Sequence, residues 1–305
     1  MKIAFCYPGQ GVQKIGMAEA FVTGNPDFAA MMVKASEAAD IDMAKLMFED
    51  NDDINVTEFT QPALVTACCI MTKALIDNGI KPDITAGLSL GEYCSLYAAG
   101  AMSFEDAVRL TRIRGRLMSG AVPAGEGGMA AVIGLDAETI ENAIKDIDGC
   151  WIANYNCPGQ IVITGKKEAV EKGMEAITSA GAKRVVPLNV SGPFHSPLLE
   201  KCGEELYSEL EGAELGDLAI PYIANVNAEK VTDKGSIKEL LKRQVYSPVK
   251  WEQTLLALKE EGVDLIVEVG PGRTIAGFVK KTCPEIPVVG FSEPEDIEKV
   301  KAAIG

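Results

Sequence analysis

The chain has 305 residues, enough to bury a large core as one big domain or two modest ones. Its net charge of −15, from 29 Lys+Arg against 44 Asp+Glu, argues against a nucleic-acid binder, which needs a basic face, and against docking on an anionic membrane. With 47% hydrophobic residues, eight irregularly spaced cysteines, no C-x-x-C pair and one histidine, it reads as a globular protein with reduced, buried thiols, cytoplasmic and without a metal site.

In chain order, 2–7 reads as a first strand that Pro8 ends, not as a signal peptide. Gly9-Gln10-Gly11 forms a turn, and helices are expected over 12–22, 27–39 and 42–48. The apolar run 60–78, stopped by Gly79, reads as a buried core helix and not as a membrane span. A β-prone run at 82–86 leads into Gly87-Leu88-Ser89-Leu90-Gly91, and a helix follows over 92–99. Strand, sharp turn and helix around G-x-S-x-G is the setting of a nucleophile elbow: the glycines leave room for the turn, and Ser89 meets the free N–H groups of a helix start. Ser103 caps a helix to about 119, with Asp106 completing an S-x-x-D box.

Pro and Gly cluster at 123–128, a candidate boundary. Beyond it strands at 129–133, 151–155, 161–164 and 183–188 enclose helices at 136–147 and 168–180. The order β-α-β-β-α-β is that of a split ferredoxin-like unit. It predicts a small inserted domain over 124–190, with 1–123 and 191–305 forming a larger α/β domain. In the latter a helix starts at Ser196-Pro197, strands are expected at 220–224, 264–269 and 288–291, and helices at 237–246, 251–261, 274–281 and from 295. Strands alternating with helices imply a mostly parallel sheet covered on both faces, with functional groups at the carboxyl ends of its strands.

A serine nucleophile needs a base, and His195 is the single imidazole. It lies in a loop just before a helix start, which favours the neutral form a base requires. His195 is therefore expected within hydrogen-bond reach of Ser89. Arg114 falls among Ala107, Leu110, Leu117 and Met118 on the apolar side of its helix, whereas Arg109, Arg112 and Arg116 share the other side as a solvated or partner-facing stripe. A buried guanidinium must be paired, either with a protein carboxylate or with a substrate carboxylate held bidentately. Gly9-Gln10-Gly11 lacks the Lys-Ser/Thr of a phosphate loop, and supplying an oxyanion-hole N–H fits it better. Gly270-Pro271-Gly272 reads as a structural turn.

These motifs resemble those of the malonyl-CoA:acyl carrier protein transacylase family over essentially the whole chain: P-G-Q-G at 8–11, G-x-S-L-G-E-Y at 87–93, R-x-R-G-R at 112–116, N-x-P-G-Q at 156–160, G-P-F-H-S-P-L at 192–198 and G-P-G at 270–272. The resemblance implies a ping-pong transfer of malonyl from coenzyme A to the phosphopantetheine thiol of holo-acyl carrier protein, without a metal or other cofactor. It further implies Ser89 as nucleophile, His195 as base, the backbone N–H groups of Gln10 and Leu90 as oxyanion hole, and Arg114 as clamp on the malonyl carboxylate. Phe194 resembles the malonyl-selective pattern, and Gln244 would orient His195 through its backbone carbonyl. Leu88 stands where the family commonly has a histidine. A serine esterase or thioesterase is the alternative enzyme, with its acid sought among Asp106, Asp136, Asp146 and Asp148; a silent carrier-docking module is the non-enzyme alternative. An acidic carrier needs a local basic patch, for which Arg273, Lys280, Lys281 and Lys250 are candidates; a monomer is expected.

Overall fold

A computed structural model describes residues 1–123, 125–190 and 192–305. The domain limits expected at positions 124 and 191 thus fall on two residues outside the described ones. The described strands, numbered along the chain, are β1 (Ile3–Tyr7), β2 (Ile84–Gly87), β3 (Gly127–Ile133), β4 (Cys150–Cys157), β5 (Gln160–Lys166), β6 (Arg184–Pro187), β7 (Tyr222–Ile223), β8 (Lys230–Val231), β9 (Val249–Lys250), β10 (Leu265–Val269) and β11 (Val288–Phe291). They form two sheets, of order β11-β10-β1-β2-β7-β8 and β6-β3-β5-β4-β9.

The first sheet is parallel except for the β7–β8 edge. This is the α/β architecture that the alternation of strands and helices predicts. Its central strands are mostly apolar because helices cover both faces, with the buried Thr85 of β2 and Glu268 of β10 as exceptions. Phe5 and Tyr7 join the core cluster around the helix Thr57–Asp77, while Ala4 and Cys6 join the opposite cluster with Trp251, Leu255 and Leu258. Thr57–Asp77 has 21 residues, and by length and composition alone it could cross a membrane; 83% of its apolar window is buried inside the protein.

Pro62 lies inside that helix and cannot donate to the carbonyl of Glu58 four residues back. Arg112 Nη1 takes the freed carbonyl at 2.9 Å and the Glu58 carboxylate at 3.0 Å. Arg112, expected on a solvated stripe, is therefore paired internally and stacked 4.6 Å over the Phe59 ring. It belongs to the helix Phe104–Ser119, which Ser103 caps through the N–H of Asp106, as predicted. Gly115 brings the two helices together: a Cβ there would lie 2.8 Å from the Cα of Glu58. That approach sets the neighbouring Arg114 against Gln61.

The second sheet is antiparallel, and its elements follow the order β3, Ala137–Ile144, β4, β5, Lys167–Ser179, β6. It is not closed on itself: β9, a short strand absent from the elements expected from the sequence, adds in parallel to β4 from the far side of the chain. Another departure lies at 12–22, where only Glu19–Val22 is helical. Gly16 and Ala18 there have φ of 82° and 66°, which break a right-handed helix. The segment after Ser196 opens with a three-residue 3-10 turn, Pro197–Leu199, before the helix Glu200–Glu211.

Candidate active site

Strand β2 ends at Gly87, and the chain turns through Leu88 and Ser89 into the helix Gly91–Ala98. The turn is too tight for side chains at its flanks. A Cβ on Gly87 would lie 1.9 Å from the carbonyl of Gly91, and one on Gly91 2.5 Å from the carbonyl oxygen of Tyr7. Ser89 takes φ 50°, a left-handed conformation costly for any residue but glycine and held only by its surroundings. The Asn225 side chain provides the hold. Its Oδ1 accepts the Ser89 N–H at 2.6 Å, and its Nδ2 donates to the Gly87 carbonyl at 2.7 Å.

Ser89 Oγ lies 2.8 Å from His195 Nε2. His195 Nδ1 lies 2.8 Å from the backbone carbonyl of Gln244. A carbonyl only accepts, so Nδ1 carries the proton and Nε2 is free to accept the serine hydroxyl. His195 also has a positive φ, 58°, and is 4% exposed. Burial lowers its pKa from 6.5 to about 4, and the Arg114 guanidinium adds to the effect; backbone bonds to Gln244 and Ser247 act in the opposite sense. The neutral imidazole that the sequence suggests is present, but burial and a neighbouring cation are its physical cause.

Arg114 is 1% exposed and has no carboxylate in contact among the described residues. Its Nη1 donates to Gln61 Oε1 at 2.8 Å; its Nη2 donates to Gln244 Oε1 at 2.9 Å and to Ser89 Oγ at 3.1 Å. Two neutral amides and a hydroxyl hold a full charge, an arrangement with room for an anion. The serine oxygen sits between the base and this cation.

These groups open into a cleft of about 440 Å³ between the two sheets. Gln10, Leu90 and the buried Phe194 line it from the side of the first sheet; Met129, Asn154, Asn156 and Val162 line it from the second. Neither the Gln10 nor the Leu90 backbone N–H donates a hydrogen bond among the described residues, so both remain available to an oxyanion. Glu268, at the end of β10, accepts the N–H groups of Ile275 and Ala276, so the Gly270-Pro271-Gly272 turn serves structure, as expected. Two of the acids considered for a hydrolase triad do other work: the Asp106 carboxylate accepts from Ser103 Oγ and the Arg109 guanidinium, and Asp136 accepts the Thr139 N–H in the first turn of its helix. Among the described residues no carboxylate meets His195 Nδ1, whose partner is the Gln244 carbonyl.

The structure thus brings Ser89, His195, Arg114 and Gln244 together. It adds three side chains the motifs did not single out: Asn225, Gln61 and Glu92. Asn225 stands just past β7 at the carboxyl edge of the sheet, where functional groups are expected, and that position was its only signal. Glu92 is a fully buried acid in the first turn of an otherwise uncharged helix.

Residues 4–302 match the family model described as acyl transferase domain. A malonyl CoA-acyl carrier protein transacylase of Bacillus subtilis (strain 168) is 44% identical over 302 residues, 97% of this chain and 95% of that protein. Among solved structures, the malonyl CoA-acyl carrier protein transacylase of Clostridium perfringens ATCC 13124 superposes with a TM-score of 0.95 at 39% identity, covering 100% of this chain and 97% of the other. A malonyl-transacylase solved with its holo type II PKS acyl-carrier protein gives 0.95 at 36% identity, covering 99% of this chain and 100% of that one.

Proposed function

This chain belongs to the acyl transferase domain family, and from that premise we propose that it moves a malonyl group from coenzyme A to the phosphopantetheine thiol of an acyl carrier protein, for fatty acid or polyketide synthesis. The observation that carries the reading is the Ser89 hydroxyl, 2.8 Å from a neutral imidazole and 3.1 Å from a buried guanidinium that has no carboxylate partner among the described residues. His195 Nε2 takes the Ser89 proton as Oγ attacks the thioester carbon. The Gln10 and Leu90 N–H groups receive the oxyanion, each contributing about 3 kcal/mol to the transition state. The tetrahedral intermediate collapses, the carbon–sulfur bond breaks, and His195 returns the proton to the coenzyme A sulfur. The carrier thiol then gives a proton to His195 and attacks malonyl-Ser89; the ester carbon–oxygen bond breaks, and His195 returns the proton to Ser89 Oγ.

Arg114 clamps the malonyl carboxylate, Phe194 shapes the acyl end of the cleft, and the Gln244 carbonyl fixes the His195 tautomer. The small unit spans 124–190 and the large one 1–123 and 191–305, with the cleft between them. Arg273, Lys280 and Lys281 are exposed on the segment whose Thr274 and Phe278 line the cleft mouth; with Lys250 nearby, they offer an acidic carrier a basic landing beside the site. Eight buried free thiols support a reducing, cytoplasmic location.

Mass spectrometry tests the reading. After mixing with malonyl-CoA, the peptide containing Ser89 should carry a malonyl group, which holo-carrier protein then removes and acquires. Loss of the group to water at the same rate with or without carrier would favour an esterase, and an unlabelled Ser89 would end the proposal.

A further inference from the structure

Glu92 is 0% exposed, and only one of its two carboxylate oxygens is bonded. Oε2 accepts from Gln244 Nε2 at 2.6 Å and from the Asn225 N–H at 3.3 Å; Oε1 has no partner among the described residues. Every hydrogen-bond partner of this buried acid is therefore a residue that holds the reacting groups. The Gln244 side chain is fully used. Its Nε2 donates to Glu92 and to the Ser89 carbonyl at 2.9 Å, and its Oε1 accepts from Arg114. Turning the amide over would set an NH2 against the guanidinium and an oxygen against a carboxylate, so Glu92 fixes which way it points.

We propose that Glu92 is a positioning residue: through Gln244 it holds both the carbonyl that orients His195 and the amide oxygen that aims Arg114, and so sets the preference for an acyl group bearing a free carboxylate. The inference rests on the transacylase reading above. The active site is then a dyad with an acid one residue removed. Glu92 sits in the first turn of the elbow helix, where the helix start favours a negative group.

Two variants separate the acceptor from the charge. Glu92→Gln keeps an oxygen facing Gln244 and removes the charge; Glu92→Asp keeps the charge and draws the oxygen back by about 1.5 Å, one carbon–carbon bond. Loading of Ser89 from malonyl-CoA and from acetyl-CoA is compared in single turnovers by intact mass, with melting temperature as the folding control. Glu92→Asp should lower the malonyl-to-acetyl ratio about tenfold, the effect of a misaimed clamp, and slow labelling by a neutral serine-directed phosphonate. Glu92→Gln should hold the wild-type ratio. The proposal is overturned if Asp keeps the ratio, if Gln loses it as Asp does, or if both substrates slow equally in step with melting temperature. Failure of the wild-type protein to load malonate would instead refute the transacylase reading itself.

Discussion

The two walls of the cleft are built differently. On the first sheet, the carboxyl edges of β1, β2 and β7 lead into Gln10, Ser89 and Asn225, and the reacting groups are fixed by strain and by bonds with few alternatives. Ser89 and His195 both sit at left-handed φ, and Gly87 and Gly91 have no space for a Cβ. The second sheet is antiparallel and presents Met129, Asn154, Asn156 and Val162 to the same space, with no titratable side chain among them. The contrast assigns chemistry to the wall whose backbone is tightly constrained and fit to the wall that faces it. Substitutions on the first wall should alter rate by large factors, and those on the second should alter binding by small ones.

The sharpest way to break this division is at the elbow. Ser89→Ala should cost on the order of 10⁶ in malonyl transfer if serine and histidine act as a unit; near-normal transfer in a carrier-protein assay would remove the first wall's claim to the chemistry. Arg114→Ala comes next. Removing one partner of a desolvated charge pair costs about 2–5 kcal/mol, roughly 30- to 5,000-fold in malonyl loading by the usual conversion, while acetyl loading should fall far less. An unchanged malonyl-to-acetyl ratio would contradict the clamp.

Much of the first wall is legible in the chain because its constraints are local. The G-x-S-x-G turn needs its glycines whatever surrounds it, and a lone arginine on an apolar face announces a special partner. The holding groups are not local. Asn225 meets Ser89 from 136 residues away, and Glu92 meets Gln244 from 152, so no spacing in the sequence joins them. The same limit hid β9, a two-residue strand whose pairing with β4 exists only once the chain has folded. The helix expected at 12–22 failed for the opposite reason: residues of ordinary helical pattern adopt positive φ at Gly16 and Ala18, which periodicity does not register.

The pH profile sharpens the comparison with a smaller effect. An imidazole of ordinary pKa, 6.5, would be about 3% neutral at pH 5, and the rate would fall roughly thirtyfold from pH 8. His195, lowered to about 4 by burial and by Arg114, stays neutral and competent as base at pH 5. The acid limb of kcat/KM for loading should therefore lie near pH 4. The measurement is best made in Glu92→Gln, because burial raises the Glu92 carboxyl to about 7 and its own protonation would overlap. Stability follows the same sign. The unfolded chain binds a proton at His195 below pH 6.5 and the folded one does not, so this group's contribution is whole above 6.5 and lost as pH falls toward 4.

The smallest effect belongs to the second wall. Asn156 lies on β4, is 7% exposed, and its Oδ1 has no hydrogen-bond partner although it borders the cleft. An unpartnered buried carbonyl costs about 1–3 kcal/mol, and a group that enters the cleft and donates to it recovers part of that cost. Asn156→Ala removes both the cost and the contact. Melting temperature should hold or rise, while KM for malonyl-CoA rises roughly fivefold, about 1 kcal/mol, with kcat unchanged, the pattern of an interaction shared by ground and transition states. A fall in kcat with KM unchanged would place Asn156 among the groups that act on the transition state, and the division between a reacting wall and a fitting wall would no longer hold.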